Sequence, residues 1–170
     1  SSLEMKPLAL DEDAPAVAAC CKVDGVEVMF VSAHLFPFPE NALERAHEVK
    51  RILANRNGRA LVFMGDLNVR REEVMPLCEA HGLRAMPLGA ATWNARVNKF
   101  YEDQQNRRDS QEFDQILSSG SVWVEGHVVC ATREYLAGKK FFLSDHFALL
   151  GLLDVHASFG SAGGGLSSVC

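Results

Sequence analysis

Short apolar runs that stop at a polar group limit what this chain can become. Ala60-Leu61-Val62-Phe63-Met64 halts at Gly65-Asp66-Leu67-Asn68, and Phe141-Phe142-Leu143 and Phe147-Ala148-Leu149-Leu150 flank Ser144-Asp145-His146. An apolar run of this length stopped by a turn signal reads as a buried strand. A carboxylate with an amide two positions on, where a strand leaves its sheet, stands where open α/β sheets take ligands. A second strand end carries an Asp-His pair. Together these motifs predict a site that handles phosphate.

The remaining pattern alternates strands and helices. Ala16–Lys22 and Val26–Leu35 flank Val23-Asp24-Gly25 and predict a hairpin, because Asp-Gly is a strong turn signal. Pro37 and Pro39 break the chain, and Leu43, Ala46, Val49, Ile52 and Leu53 then recur at helical steps between Glu40 and Asn55. Asn57-Gly58 closes that helix. A short helix follows over Glu72–Ala80, with Pro76 in or near its first turns and Gly82 as its stop. Residues 89–111 form a long polar stretch of the kind that is functional or disordered in a compact domain. Glu112–Leu117, Val122–Val129, Phe141–Leu143 and Ala148–Val155 read as strands. The predicted organisation is a polar lead-in over 1–13, one domain over 14–157, and a flexible Gly/Ser-rich tail over 158–170.

The 170 residues, 48% hydrophobic and 23% charged, suffice for one domain with a substantial core. A formal net charge of -5 excludes a basic field that would hold polyanions non-specifically. Basic residues cluster only locally, at Arg70-Arg71, Arg107-Arg108 and Lys139-Lys140, all in predicted loops. The five cysteines form no C-x-x-C pair and are odd in number, so neither a zinc knuckle nor a disulfide framework is expected, and a reducing, intracellular compartment fits. No apolar stretch is long enough to span a bilayer.

Hydrolysis of a phosphate ester needs an activated water, relief of charge on the nonbridging oxygens, and help for the departing oxygen. Asp66 can hold the water or take its proton. Asn68, neutral and bearing N–H donors, can bind a phosphate oxygen without repelling it. His146 can donate to the phosphate if a carboxylate orients it, and Asp114, in an otherwise apolar strand where an unpaired charge would be costly, is the candidate partner. Asp145 is a hard oxygen ligand suited to Mg²⁺. His34, ending the run that starts at Val28, adds a further strand-terminal group. Singly, each has an ordinary reading: an Asx-capped turn, a structural imidazole, a strand-edge carboxylate. Their specificity lies in four such strand ends in one order.

That ordered set is Ser32-Ala33-His34-Leu35, Gly65-Asp66-Leu67-Asn68, Thr92-Trp93-Asn94, Phe113-Asp114-Gln115-Ile116 and Ser144-Asp145-His146-Phe147. It resembles the endonuclease/exonuclease/phosphatase superfamily, which includes deoxyribonucleases, apurinic-site endonucleases, deadenylases, sphingomyelinases, inositol-phosphate phosphatases and tyrosyl-DNA phosphodiesterases. The resemblance covers about residues 14–155, with Ala33 where a Thr is common. Glu44-Arg45, Arg70 and Thr92-Trp93 resemble the tyrosyl-DNA phosphodiesterase and sphingomyelinase-like branches. The resemblance implies an α/β fold, an α/β/β/α sandwich of two packed sheets. It implies a metal-dependent phosphoric ester hydrolase with Mg²⁺, or Mn²⁺ in its place. Asp66 would activate the water and Asn68 bind the scissile phosphate. His146, partnered by Asp114, would contact that phosphate, and His34 would stabilise the transition state. Arg70, Trp93 and Asn94 would bind substrate, and Asp145 and Asp66 would hold metal. The substrate class is a phosphate ester in a nucleic acid, a phospholipid head group or an inositol phosphate.

The chain also departs from that pattern. Family members are longer, and their first half supplies an early Asn and a Glu that is the principal Mg²⁺ ligand. Here only Ser1–Pro15 precedes the hairpin, and neither Glu4 nor Glu12 has a strand-end setting. The expectation is a C-terminal half-domain, supplying mainly the C-terminal sheet and its helices. It would be either a fragment, which the Ser1 start favours, or a degenerate relative, with the N-terminal half of the same domain as its partner. By itself it should bind Mg²⁺ poorly and leave an apolar sheet face uncovered. The alternative function is a catalytically inactive binding or scaffolding module that kept the fold.

Overall fold

Period-two alternation decides which way the strands face. In a computed structural model, residues 6–8, 15–85, 88–98, 100, 109–130 and 144–155 are described, with the backbone alone at 6–8 and 124–130. Strands β1 (Lys6–Leu8), β2 (Ala16–Val23), β3 (Val26–His34), β4 (Ala60–Asp66), β5 (Arg84–Ala85) and β8 (Asp114–Ser119) form a mixed six-stranded sheet in the order β1-β2-β3-β4-β8-β5. β3 and β4 run parallel and the other pairs antiparallel. The short strands β6 (Trp93–Asn94) and β7 (Ser110–Gln111) pair with each other, as do β9 (Val122–Cys130) and β10 (Ala148–Val155).

Met29, Val31, Ala33, Leu61, Phe63 and Leu117 face helices α1 (Ala42–Leu53) and α2 (Arg71–His81), burying Val49, Ile52 and Cys78. The alternate residues Val28, Ala60 and Val62, with Phe30, Met64 and Ile116, pack towards Val122 and Val155 of the second sheet. Apolar residues on both faces of β3 and β4 are what two covering layers require. The predicted two-sheet α/β arrangement is therefore present. Among the described residues the second sheet has two strands, and Leu150 and Leu152 of β10 remain exposed. No helix among those residues is long and apolar enough to cross a membrane.

Local chemistry accounts for the boundaries. Asp24 and Gly25 both take positive φ, as a tight hairpin turn demands, and Asn57 and Gly82 end α-helical stretches in the left-handed region. β8 begins and ends two residues later than its sequence pattern predicted, because Ser118 and Ser119 extend the ladder opposite Val62 and Leu61. The buried stripe of α1 is Arg45, Glu48, Val49 and Ile52, with Leu43 exposed. The apolar periodicity missed two charged residues whose partners come from other segments. Pro76 lies inside α2, and within the lead-in segment Lys6–Leu8 adds an edge strand. The polar stretch 89–111 contributes β6 and β7. The Phe141–Leu143 strand, Arg107-Arg108, Lys139-Lys140, Glu4, Glu12 and the 158–170 tail lie outside the described residues.

Candidate active site

Strand register builds a row of polar groups across the sheet. His34 pairs with Asp66 across the parallel β3–β4 ladder, and Asp66 pairs with Asp114 across the antiparallel β4–β8 ladder. All three share the parity of Phe30, Met64 and Ile116, so they project from the face turned away from the helices. The His34 Nε2 atom stands 3.5 Å from Asp66 Oδ2. His146 arrives from another segment, with Nδ1 2.7 Å from Asp114 Oδ2 and Nε2 3.6 Å from Asp66 Oδ2. One imidazole therefore lies between two carboxylates, hydrogen-bonded to the first and just out of hydrogen-bond reach of the second.

Close approach between β3 and β4 depends on Gly65. Its φ is +126°, and a Cβ there would run into the Ala33 carbonyl oxygen. Beyond the strand the chain turns back at Asn68, which is buried with φ +50°, a conformation Asn tolerates. Its backbone N–H donates to Asp66 Oδ1 at 3.1 Å and its Nδ2 to the Leu35 carbonyl at 3.0 Å. The Leu35 N–H donates to the Asp66 carbonyl, fastening β3 to the Asp66 turn.

Three further residues hold the His146 segment, and the sequence reading missed them. Thr92, fully buried, accepts the Asp114 N–H on Oγ1, and its carbonyl accepts the Phe147 N–H at 2.6 Å. Asn98, 1% exposed, donates Nδ2 to the Ser144 carbonyl. Ser144 Oγ in turn accepts the His146 N–H. Thr92 and Ser144 stood within the quoted motifs, but nothing in the sequence marks Asn98, because its partner is distant in sequence.

The predicted substrate residues divide. Arg70 places its guanidinium 4.4 Å over the Phe113 ring and donates to the Asn68 carbonyl, so it borders the row. Trp93 is buried; it bridges to His146 and packs on Phe113, a wall of the site rather than an open contact surface. Asn94 accepts the Arg96 N–H in its own turn.

Charge distribution in the row suits proton movement. Burial pushes the Asp66 carboxyl above its usual value; nearby Asp114 adds to this, while His146, the Asn68 N–H and His34 oppose it. For His146, burial by itself disfavours the charged ring. The Asp114 hydrogen bond and the charges of Asp114, Asp66 and Asp145 outweigh burial, so its affinity for the proton is raised.

Asp66, Asp114 and His146 also form the group among the described residues whose ligand atoms could meet one ion, all lying within 4.8 Å. They do not fit Mg²⁺ as a site. That ion demands near-octahedral oxygen ligation, whereas both imidazole nitrogens here face carboxylates and Asp114 is committed to His146. Of the two predicted ligands, Asp66 lies in this group and Asp145 outside it.

No family model and no curated protein matches the sequence. Solved structures do match. Truncated TDP2 of Caenorhabditis elegans is similar at TM-score 0.60 and 20% identity, covering 87% of this chain and 64% of its own. D. rerio TDP2 with a single-strand DNA product aligns at TM-score 0.66 and 16% identity, covering 90% and 68%. The inositol polyphosphate 5-phosphatase domain of SPsynaptojanin, bound to inositol (1,4)-bisphosphate and calcium, aligns at TM-score 0.55 and 20% identity, covering 91% and 56%. The chain thus spans about two thirds or less of these longer structures. At such identities the likeness speaks to architecture, and the architecture is that of the endonuclease/exonuclease/phosphatase fold.

Proposed function

We propose that this chain carries the acid–base machinery of a phosphoric ester hydrolase. The observation that carries the reading is the His34–Asp66–Asp114 row with His146 held between its carboxylates. In this mechanism Asp66 orients a water and takes its proton as the water oxygen bonds to phosphorus and the ester P–O bond breaks. A carboxylate raised by burial is a better base than one in solvent. His146, whose proton affinity Asp114 raises, donates to the phosphoryl oxygens, and exposed His34 can donate from the far end of the row. Asn68 has one Nδ2 hydrogen bonded to Leu35, leaving its second for a phosphate oxygen.

Metal dependence, on Mg²⁺ or Mn²⁺, belongs to this proposal for the whole reaction. The clustered residues supply few oxygen ligands, so further ligation would come from water, the substrate phosphate or residues beyond those described. The substrate is a phosphate ester. A DNA product in one matched structure and an inositol bisphosphate in another support that class. An intracellular setting is part of the reading, since Cys20, Cys21 and Cys78 are free thiols.

Hydrolysis of bis(p-nitrophenyl) phosphate with added divalent metal is the test. Asp66→Asn should lower the rate by roughly 10²-fold or more while the folded chain persists. Equal rates in the variant and the unmutated chain would remove Asp66 from the mechanism, and no hydrolysis under any metal would favour the inactive module.

A further inference from the structure

The segment after His34 is built more firmly than a connecting loop requires. Phe36 donates its N–H to Glu48 Oε2 at 3.0 Å, and its carbonyl accepts Arg45 Nη1 at 3.0 Å. The same Nη1 donates to the Phe38 carbonyl at 2.6 Å, and Asn41 bonds the Pro37 and Phe38 carbonyls through Nδ2 and N–H. Arg45 is 1% exposed, with Nε and Nη2 gripping Glu73. Phe38 is held at φ +70° and ψ +144°, a backbone region that phenylalanine avoids. This immobilised turn holds two aromatic residues in the open, Phe36 at 49% exposure and Phe38 at 60%. One residue back, Leu35 is tied to Asp66 and Asn68. The pair therefore follows in sequence directly on the residues that border the candidate phosphate site.

We propose that Phe36 and Phe38 form a stacking platform for the group esterified to the phosphate, and that its occupant is an unpaired nucleobase. This deepens the hydrolase reading and rests on it. A base has a flat face that gains from an aromatic ring whatever its sequence identity, and a rigid platform loses little freedom on receiving it. An inositol ring, rimmed with hydroxyls, would lose solvation against two phenyl rings.

Fluorescence anisotropy tests the platform with dye-labelled oligothymidylate and a strand of the same length whose residues are abasic tetrahydrofuran. The unmutated chain should prefer the base-bearing strand by roughly tenfold or more. Phe36→Ala/Phe38→Ala should erase that preference, and Phe36→Tyr/Phe38→Tyr should retain it. Equal affinity of the unmutated chain for both strands, no binding of either, or a preference that survives the alanine pair would overturn the proposal. Sedimentation with phosphatidylcholine vesicles that is lost in the alanine pair would assign the rings to lipid instead, and so would also overturn it. Hydrolysis scored in parallel keeps the two readings apart. A base preference without hydrolysis leaves the platform standing and sinks the reaction; hydrolysis without a base preference does the reverse.

Discussion

Replacing Asp114 with Asn isolates what the carboxylate does for His146. Both side chains are similar in shape, and both offer an oxygen to Nδ1 at the observed 2.7 Å. What is lost is charge. A hydrogen bond to a charged group contributes about 1.5–3 kcal/mol and a neutral one about 0.5–1.5, so the difference is on the order of 1–1.5 kcal/mol. Through the transition-state exponent that becomes about a 5- to 13-fold loss in rate. The titration should move as well. Asp114 is the main influence raising His146 against burial, so Asp114→Asn should lower the His146 midpoint. Proton NMR of the imidazole Hε1 signals across a pH series, assigned with a His146→Gln control, reads this midpoint whether or not the chain turns over substrate. A midpoint unmoved by the substitution would refute the Asp114–His146 coupling.

Gly65→Ala should destabilise the domain by about 2–6 kcal/mol, summing overpacking against the Ala33 carbonyl and an unfavourable positive φ, read from urea midpoints. Calorimetric titration with Mg²⁺ should give only millimolar-range binding, since the two clustered carboxylates flank the His146 ring rather than a shared open position; micromolar binding would show that a metal site is already assembled.

The fold was legible where one local rule dominated. Asp24-Gly25, Asn57-Gly58 and Gly82 each demanded a positive φ, and each ends an element. The two-residue offset in the bounds of β8 leaves facing untouched, because the pairing of Asp114 with Asp66, and not where the strand begins, sets the face it takes. Residues satisfied across long sequence gaps were not legible. Arg45 entered only through the resemblance and Glu48 not at all, because their partners, the Phe36 N–H, the Phe36 and Phe38 carbonyls and Glu73, come from other segments. Thr92 stood in a quoted motif without a role and Asn98 went unremarked, although each fixes a segment that carries a site residue. Trp93 entered through the resemblance, and its burial against Phe113 was not legible because sequence reports ring type and not burial.

The same row sets a cost in stability with a definite pH dependence. Asp66 and Asp114 are direct cross-strand partners, and like charges so placed oppose pairing by on the order of 0.2–1 kcal/mol. A protonated His146 between them relieves that repulsion. The folded state raises proton affinity at both His146 and Asp66. The His146 contribution to stability is then complete below the usual imidazole value of 6.5 and is lost as pH rises through its raised value. The Asp66 contribution is complete below 3.8 and is lost in the same sense as pH rises through its own raised value. Near neutrality Asp66 is ionised at a cost to folding. Asp66→Asn, which keeps an oxygen for the Asn68 N–H, should therefore raise the urea midpoint there, by on the order of 0.2–1 kcal/mol, while reducing hydrolysis. At a pH below the carboxylate range the gain should vanish, because Asp66 is then neutral in both states. A variant less stable than the unmutated chain at neutral pH would mean that the ionised carboxylate is a structural asset, and the strain assigned to the row would be wrong.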